Sequence, residues 1–268
     1  MNRIVRPDKT PRRTAHDMIL EMVKFSNYGS GRFRTDADIK RYLQSLGYDF
    51  DDLVKRCMEN YNMPIPTENL LGSTWRLTGG TATSISPTGK ELFSVSGSGE
   101  LTQKAYWGCY EESQKQLKEC ISDQSYIKFQ SALVLGIAAI EAYINYRAGI
   151  WNETHPNERL VDSKENKVSF DQKIDEWIPV MTNQKKLDKG NRNWQEFRYL
   201  RDIRDNTTIH MKQSGYGISY KDLADLINRY SYGISGILIQ LHKLFNEMIP
   251  PIIIRNFYAP PVKIIDEG

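Results

Sequence analysis

Cysteine is scarce. Cys57, Cys109 and Cys120 are the only three in 268 residues, and no two stand as CxxC. An odd set without pairs excludes a disulfide framework and a zinc ribbon, and fits a reducing compartment. The four histidines (His16, His155, His210 and His242) are scattered, away from cysteines and carboxylates at ligand spacing. No metal site and no other cofactor is therefore expected. Long apolar runs are also missing. The longest, Ala132–Ile140 and Gly233–Leu241, fall far short of the ~20 residues of a spanning helix. The opening MNRIVRPDKTPRR lacks the apolar core of a secretory signal. These absences predict a cytoplasmic protein with no membrane partner.

An excess of charge is missing too. The chain has 36 Lys/Arg against 33 Asp/Glu, a net of +3. The distribution is uneven: residues 1–99 hold 14 Lys/Arg and 11 Asp/Glu, and residues 100–268 hold 22 of each. The whole excess sits in the N-terminal third. The 40% of hydrophobic residues suffices for a packed core.

Residues 1–13 carry five Lys/Arg against Asp8, and two prolines oppose a helix. They read as a basic arm, either solvated or touching phosphate. Three short helices should follow. The first runs from His16 to about Asn27 with Thr14 as its cap. The second is capped by Thr35 and closed by Gly47. The third spans about Asp49–Tyr61. Thr74–Thr78 and Ala82–Ile85 read as strands around a Gly79-Gly80 turn, and Pro87–Leu92 as one helical turn. Three helices and a hairpin, with Trp75-Arg-Leu-Thr78 and Ile85-Ser-Pro-Thr-Gly-Lys-Glu-Leu92, resemble a winged helix over residues 14–93. That resemblance implies an α+β module able to bind duplex DNA, with Lys55 and Arg56 on the third helix and Arg76 and Lys90 in the wing region. Asp49, Asp51, Asp52 and Glu59 offset these cations, so protein contact or dimerisation is an equal expectation.

Ser94–Gly99 reads as a linker. Residues 100–250 read as nearly all helical, with helices over Leu101–Ile121, Tyr126–Ile150, Asp171–Met181, Asn193–Arg204 and Tyr220–Met248. Their length and one-sided apolar faces suit an antiparallel bundle. Residues 251–268 form a tail with two apolar stretches around Pro260-Pro261. The expected fold is therefore mainly α, a helical bundle plus a small N-terminal α+β domain.

Two features of the C-terminal part point to chemistry. Glu141 is the only charged residue between Ala132 and Ile144. A carboxylate in so apolar a helix should be at least half-buried, with a cation or donor as partner. Asn145, one turn on, shares its face. The second is the run from Arg201 to His210, containing Arg204, Asp205 and Asn206. Arginine's planar fork suits a phosphate, and histidine suits proton transfer near neutral pH. A salt-bridged surface and an ordinary polar histidine are the bland alternatives.

Arg204-Asp205, four residues, then His210 resembles the Arg–polar–x(4–6)–His signature of the HEPN superfamily. The helix Ser131–Asn145, with its Ile-Glu-Ala-Tyr phrase, is similar to the apolar helix that precedes that signature. The resemblance covers about residues 100–250. It implies a dimeric bundle with the signature in a cleft between subunits, and a metal-independent endoribonuclease of toxin–antitoxin, phage-defence or CRISPR type. By the resemblance, His210 moves a proton between the RNA 2′-hydroxyl and the leaving oxygen. Arg204 holds the scissile phosphate, Asp205 orients Arg204 or His210, and Glu141 pairs with Arg204 or assists proton transfer. Asn145, Arg201 and Asn206 support the site. Arg201 is expected to pair with Asp202 or Asp205, or to be a second phosphate contact. One toxin branch carries a modified tyrosine two residues after the histidine; Lys212 stands there in this chain. The implied partners are RNA, a second copy and an antitoxin or defence partner, with DNA at the N-terminal module. The alternative is a DNA-binding regulator whose bundle dimerises or senses a ligand.

Overall fold

The computed structural model describes residues 2–7, 9–26, 33, 35–63, 65, 74–78, 81–85, 91–96, 105–162, 167–206 and 218–266, with the backbone path alone between 74 and 96. The protein is mainly helical and divides into two units. One comprises residues 1–7, 104–247 and 261–268; the other comprises residues 8–103 and 248–260. This division differs from the arm, domain, linker and tail read from the sequence, because both chain ends cross over. The first seven residues belong with the bundle, and residues 248–260 belong with the N-terminal unit.

In the N-terminal unit, α1 (Arg12–Ser26), α2 (Asp36–Ser45) and α3 (Phe50–Glu59) pack through Met18, Met22, Ile39, Leu43, Leu53 and Cys57, all buried. α1 begins two residues before the expected Thr14 cap. Pro11 directly precedes it, and a proline has no N–H to lose at a helix start. Thr35 caps α2 in a capping box with Asp38. Gly47, at φ +84°, closes α2: its N–H bonds Gln44 O, and that of Tyr48 bonds Leu43 O. This is the Schellman pattern that a side chain with a Cβ resists. Asp49 caps α3 by accepting from Asp52 N at 2.8 Å. α11 (Pro251–Phe257) packs on α1.

The three-stranded antiparallel sheet has the order β2 (Thr74–Thr78), β3 (Thr81–Ile85), β4 (Glu91–Ser96). β4 corrects two expectations. Glu91 and Leu92 are strand rather than helical turn, and Ser94–Ser96 pair with Thr81–Thr83 rather than forming a linker. The alternation Leu92/Ser94/Ser96 against Phe93/Val95 suits a strand, and small serines do not prevent pairing.

The second unit is a helical bundle. α4 (Ala105–Asp123) and α5 (Tyr126–Thr154) are joined by the tight turn at Gln124-Ser125 and pack along their length. Phe129, Leu133, Ile137, Ile140 and Ile144 of α5 are buried at helical spacing. By length and hydropathy α5 could cross a membrane: an 18-residue window averages 1.5, though half of that window is buried inside the unit. Counting only uninterrupted apolar runs missed this. α6 (Phe170–Gln172) continues through a π-helical turn, Lys173–Trp177, into α7 (Ile178–Met181). α8 (Arg192–Arg204) follows. The final long helix is α9 (Tyr220–Tyr230), a π turn (Ser231–Ser235) and α10 (Gly236–Leu244).

A buried polar knot joins α4, α5 and α9. Ser113 Oγ donates to Ala132 O at 2.7 Å and meets the Tyr230 hydroxyl, which lies 3.3 Å from Ala132 O. Gly136 makes room for that tyrosine; a Cβ there would lie 2.3 Å from Tyr230 Oη.

The expected N-terminal arm and C-terminal tail are corrected as well. β1 (Asn2–Val5) pairs antiparallel with β5 (Lys263–Asp266), and Ile4 is buried. Gln124 supplies β1 with a side-chain substitute for a further strand: Ile4 N donates to its Oε1 at 2.7 Å, and its Nε2 donates to Ile4 O at 2.9 Å. Asn228 does the same for Val262, at 2.7 and 3.2 Å. Counting basic residues in 1–13 overlooked the apolar Ile4 and Val5, which need the β partner at the far end of the chain.

Candidate functional site

Glu141 lies on α5, and its side chain is 40% exposed. It has a cationic partner, as its setting requires, but the partner is Lys173 rather than Arg204. Lys173 Nζ donates to Glu141 Oε1 at 2.8 Å and lies 2.6 Å from Asp162 Oδ2. The lysine side chain is only 1% exposed. Burial pulls its pKa down, and the bonds from Asp162 and Glu141 more than reverse this, leaving it above the ordinary lysine value. Asp162 is held below the usual carboxylate range by Lys173 first, then by the Val168 N–H. The cluster is therefore a fixed ammonium between two carboxylates.

The sequence carried a signal for Lys173. Residues 170, 173, 174, 177, 178 and 181 follow inward-facing helical spacing, and a lysine sits among apolar neighbours at the second of them. Its ammonium lies 5.5 Å from the Trp177 ring.

Arg204 ends α8, 23% exposed. Asp205 Oδ1 accepts from its Nε at 2.8 Å and lies 2.6 Å from its second terminal nitrogen. The adjacent carboxylate thus grips one edge of the guanidinium. Arg201, one turn earlier, pairs with Asp171 rather than with Asp202 or Asp205: its two terminal nitrogens donate to the two carboxylate oxygens at 2.5 and 3.1 Å. That fork-to-fork geometry holds Asp171 below the ordinary carboxylate range and Arg201 above its own value. Asp171 wins because it offers both oxygens from another helix, whereas Asp205 is taken by Arg204. Asp171 and Lys173 are two residues apart. The α6–α7 segment is therefore ion-paired both to α8, through Arg201, and to α5, through Glu141.

Asn206 Nδ2 donates to Asp202 O at 2.8 Å, closing the last turn of α8. Asn145 is exposed on α5 and lines a cavity of about 330 Å³ with Gly149, Asn152, Leu160, Asp162 and Trp177. His210 and Lys212 lie outside the described residues, so the second half of the Arg–His pair has no geometry here. In the N-terminal unit, Lys55 and Arg56 are exposed on α3. Arg76 stands on β2 opposite Thr83, and Lys90 lies outside the described residues. Among the described residues, no three His, Cys, Asp or Glu converge as metal ligands.

Comparison of the chain with protein-family models, with characterised proteins and with solved structures finds no match.

Proposed function

We propose that the chain is a metal-independent endoribonuclease of toxin or phage-defence type, cutting RNA at a composite site between two copies. The observation that carries this reading is the Arg204–Asp205 pair at the end of α8, six residues before His210. The helical-bundle character of residues 104–247 supports the HEPN-like part of the reading. In this mechanism the 2′-oxygen of the substrate attacks phosphorus and the bond from phosphorus to the 5′-oxygen breaks. His210 moves the proton from the 2′-hydroxyl to the leaving 5′-oxygen. The products are a 2′,3′-cyclic phosphate and a 5′-hydroxyl, and the need for a 2′-hydroxyl restricts cutting to RNA. Arg204 stabilises the charge that grows on the phosphate, and Asp205 fixes its rotamer. Glu141 acts through Lys173, holding the α6–α7 segment beside α5. No cofactor takes part. A homodimer and an antitoxin or defence-system partner belong to the same reading.

The test is RNA cleavage in excess EDTA by wild type, Arg204→Ala and His210→Ala. Each variant is expected to lose at least about a hundredfold in rate. If both cut as fast as wild type, the reading is wrong.

A second reading, a DNA-binding regulator, draws on three helices followed by an antiparallel sheet in one unit, the order of a winged helix, with Lys55 and Arg56 exposed. It requires duplex binding by the full chain that weakens steeply with salt, and no cleavage. Absence of DNA binding at low salt counts against it.

A further inference from the structure

The cavity beside the Lys173 cluster has the makeup of a base-binding pocket. Leu160 and Trp177 give it apolar walls, and Asn145 and Asp162 give it polar edges. Its volume, about 330 Å³, is at the small end of ligand pockets, which run from ~300 to ~1,000 Å³. Such a size suits one planar heterocycle rather than an extended ligand.

The polar edge is selective. Asn152 builds the wall: its Oδ1 accepts from Leu160 N at 2.7 Å, and its Nδ2 donates to Leu160 O at 2.9 Å. Asp162 is held by two donors. Val168 N–H bonds its Oδ1 at 3.1 Å, and Lys173 lies 2.6 Å from its Oδ2. Each carboxylate oxygen has two acceptor positions, and the described residues fill one on each, which leaves one on each for a ligand among those residues. A fixed carboxylate with two parallel acceptors matches a partner with two adjacent N–H donors. Among the nucleobases, guanine presents that pair on its Watson–Crick edge. Adenine and cytosine present one amino group beside an acceptor, and uracil one N–H between two acceptors. Asn145, exposed on α5, and Trp177 belong to the same lining, an amide and an aromatic ring being the groups that read and stack a base.

We propose that this cavity binds the guanine base of single-stranded RNA, with Asp162 accepting from its two N–H donors, Lys173 and Val168 N–H fixing the carboxylate, and Trp177 as the wall. The proposal rests on the ribonuclease reading for its biological sense. Lys173 joins Asp162 to Glu141, so a base in this pocket would be anchored one ion pair away from the α5 carboxylate.

The test separates binding from cutting. Full-length His210→Ala, unable to cleave in that reading, is titrated with fluorescent uridine hexamers carrying a single central guanine, adenine or cytosine, and anisotropy is read. The guanine oligomer is expected to bind roughly tenfold or more tighter than the others. Asp162→Asn in the same background is expected to remove that preference, since an amide presents one acceptor and one donor. Asn145→Ala, at an exposed position, is expected to weaken guanine binding severalfold with the fold intact by circular dichroism, and it decides the matter if Asp162→Asn does not fold. Equal binding of all hexamers, or an undiminished preference in the folded variant, overturns the proposal. Free GMP binding as tightly as the hexamer overturns the assignment to RNA. A guanine preference in a protein whose wild type never cuts RNA upholds the pocket and overturns the ribonuclease reading instead.

Discussion

Lys173 Nζ lies 2.8 Å from Glu141 Oε1, joining α6–α7 to α5 through an ammonium that is 1% exposed. The candidate carboxylate is therefore committed to a buried lysine, and the candidate arginine, Arg204, to its neighbour Asp205. Two separate ion-paired centres result, bridged by Arg201 and Asp171.

Replacing Lys173 by Met strands two carboxylates against an apolar side chain. Removing one member of a fully buried pair costs ~3–5 kcal/mol. Glu141 and Asp162 keep 40% and 33% exposure, so a loss of about 2 kcal/mol in urea denaturation is expected. Adding Glu141→Gln should recover part of it, because one stranded charge disappears. If Lys173→Met alone is as stable as wild type, the ion pairs carry no stability.

Asp171 makes a pH prediction whose sign follows from its depressed pKa. A carboxyl lowered in the folded state adds stability above its unfolded value, near ~3.9, and loses it as pH falls through the lower folded value. Asp171 is 56% exposed, which limits the effect to about 0.5 kcal/mol. Asp171→Asn should therefore be less stable than wild type at pH 6, with the gap closing towards pH 3. A gap that widens in acid would contradict the assignment.

Gly136→Ala tests the polar knot. The new methyl would meet Tyr230 Oη at 2.3 Å and Ile234 Cγ2 at 3.0 Å. Overpacking of this kind costs ~1–3 kcal/mol. Tyr230→Phe removes the closest atom, so the double variant should lose less than the sum of the two single ones. Thermal or urea unfolding of the cycle measures that coupling.

Thiol chemistry should sort the cysteines. All three are free. Burial pushes the Cys57 thiol up to about 11, against a partial opposing pull from Arg255, and burial likewise takes Cys120 up to about 12. The thiolate is the reactive form. Native protein treated with iodoacetamide at pH 8 should be labelled at Cys109, which is partly exposed, within minutes. Cys57 and Cys120 should react only after unfolding, as peptide mass mapping would show.

Much of the fold was legible because its causes are local. Thr35 with Asp38, Asp49 and Gly47 mark helix ends through bonds that span three to five residues. The apolar periodicity of 126–144 marks a core helix in the same way. The need of Glu141 for a cation was equally readable, since an apolar helix makes a bare carboxylate costly.

The sequence by itself determined a mainly helical chain, the cores of its helices, and a carboxylate in need of a partner. Only the tertiary structure decided who the partner is. Lys173, Arg204 and Arg201 are all cations within 70 residues of Glu141, and charge alone does not choose among them. Packing chose, because the π turn that buries Ile174 and Trp177 carries Lys173 inward with them. The same holds for the chain ends. Strand pairing between residues 2–5 and 263–266 is set by backbone hydrogen bonds across the whole length of the protein, and no local pattern encodes a partner so distant.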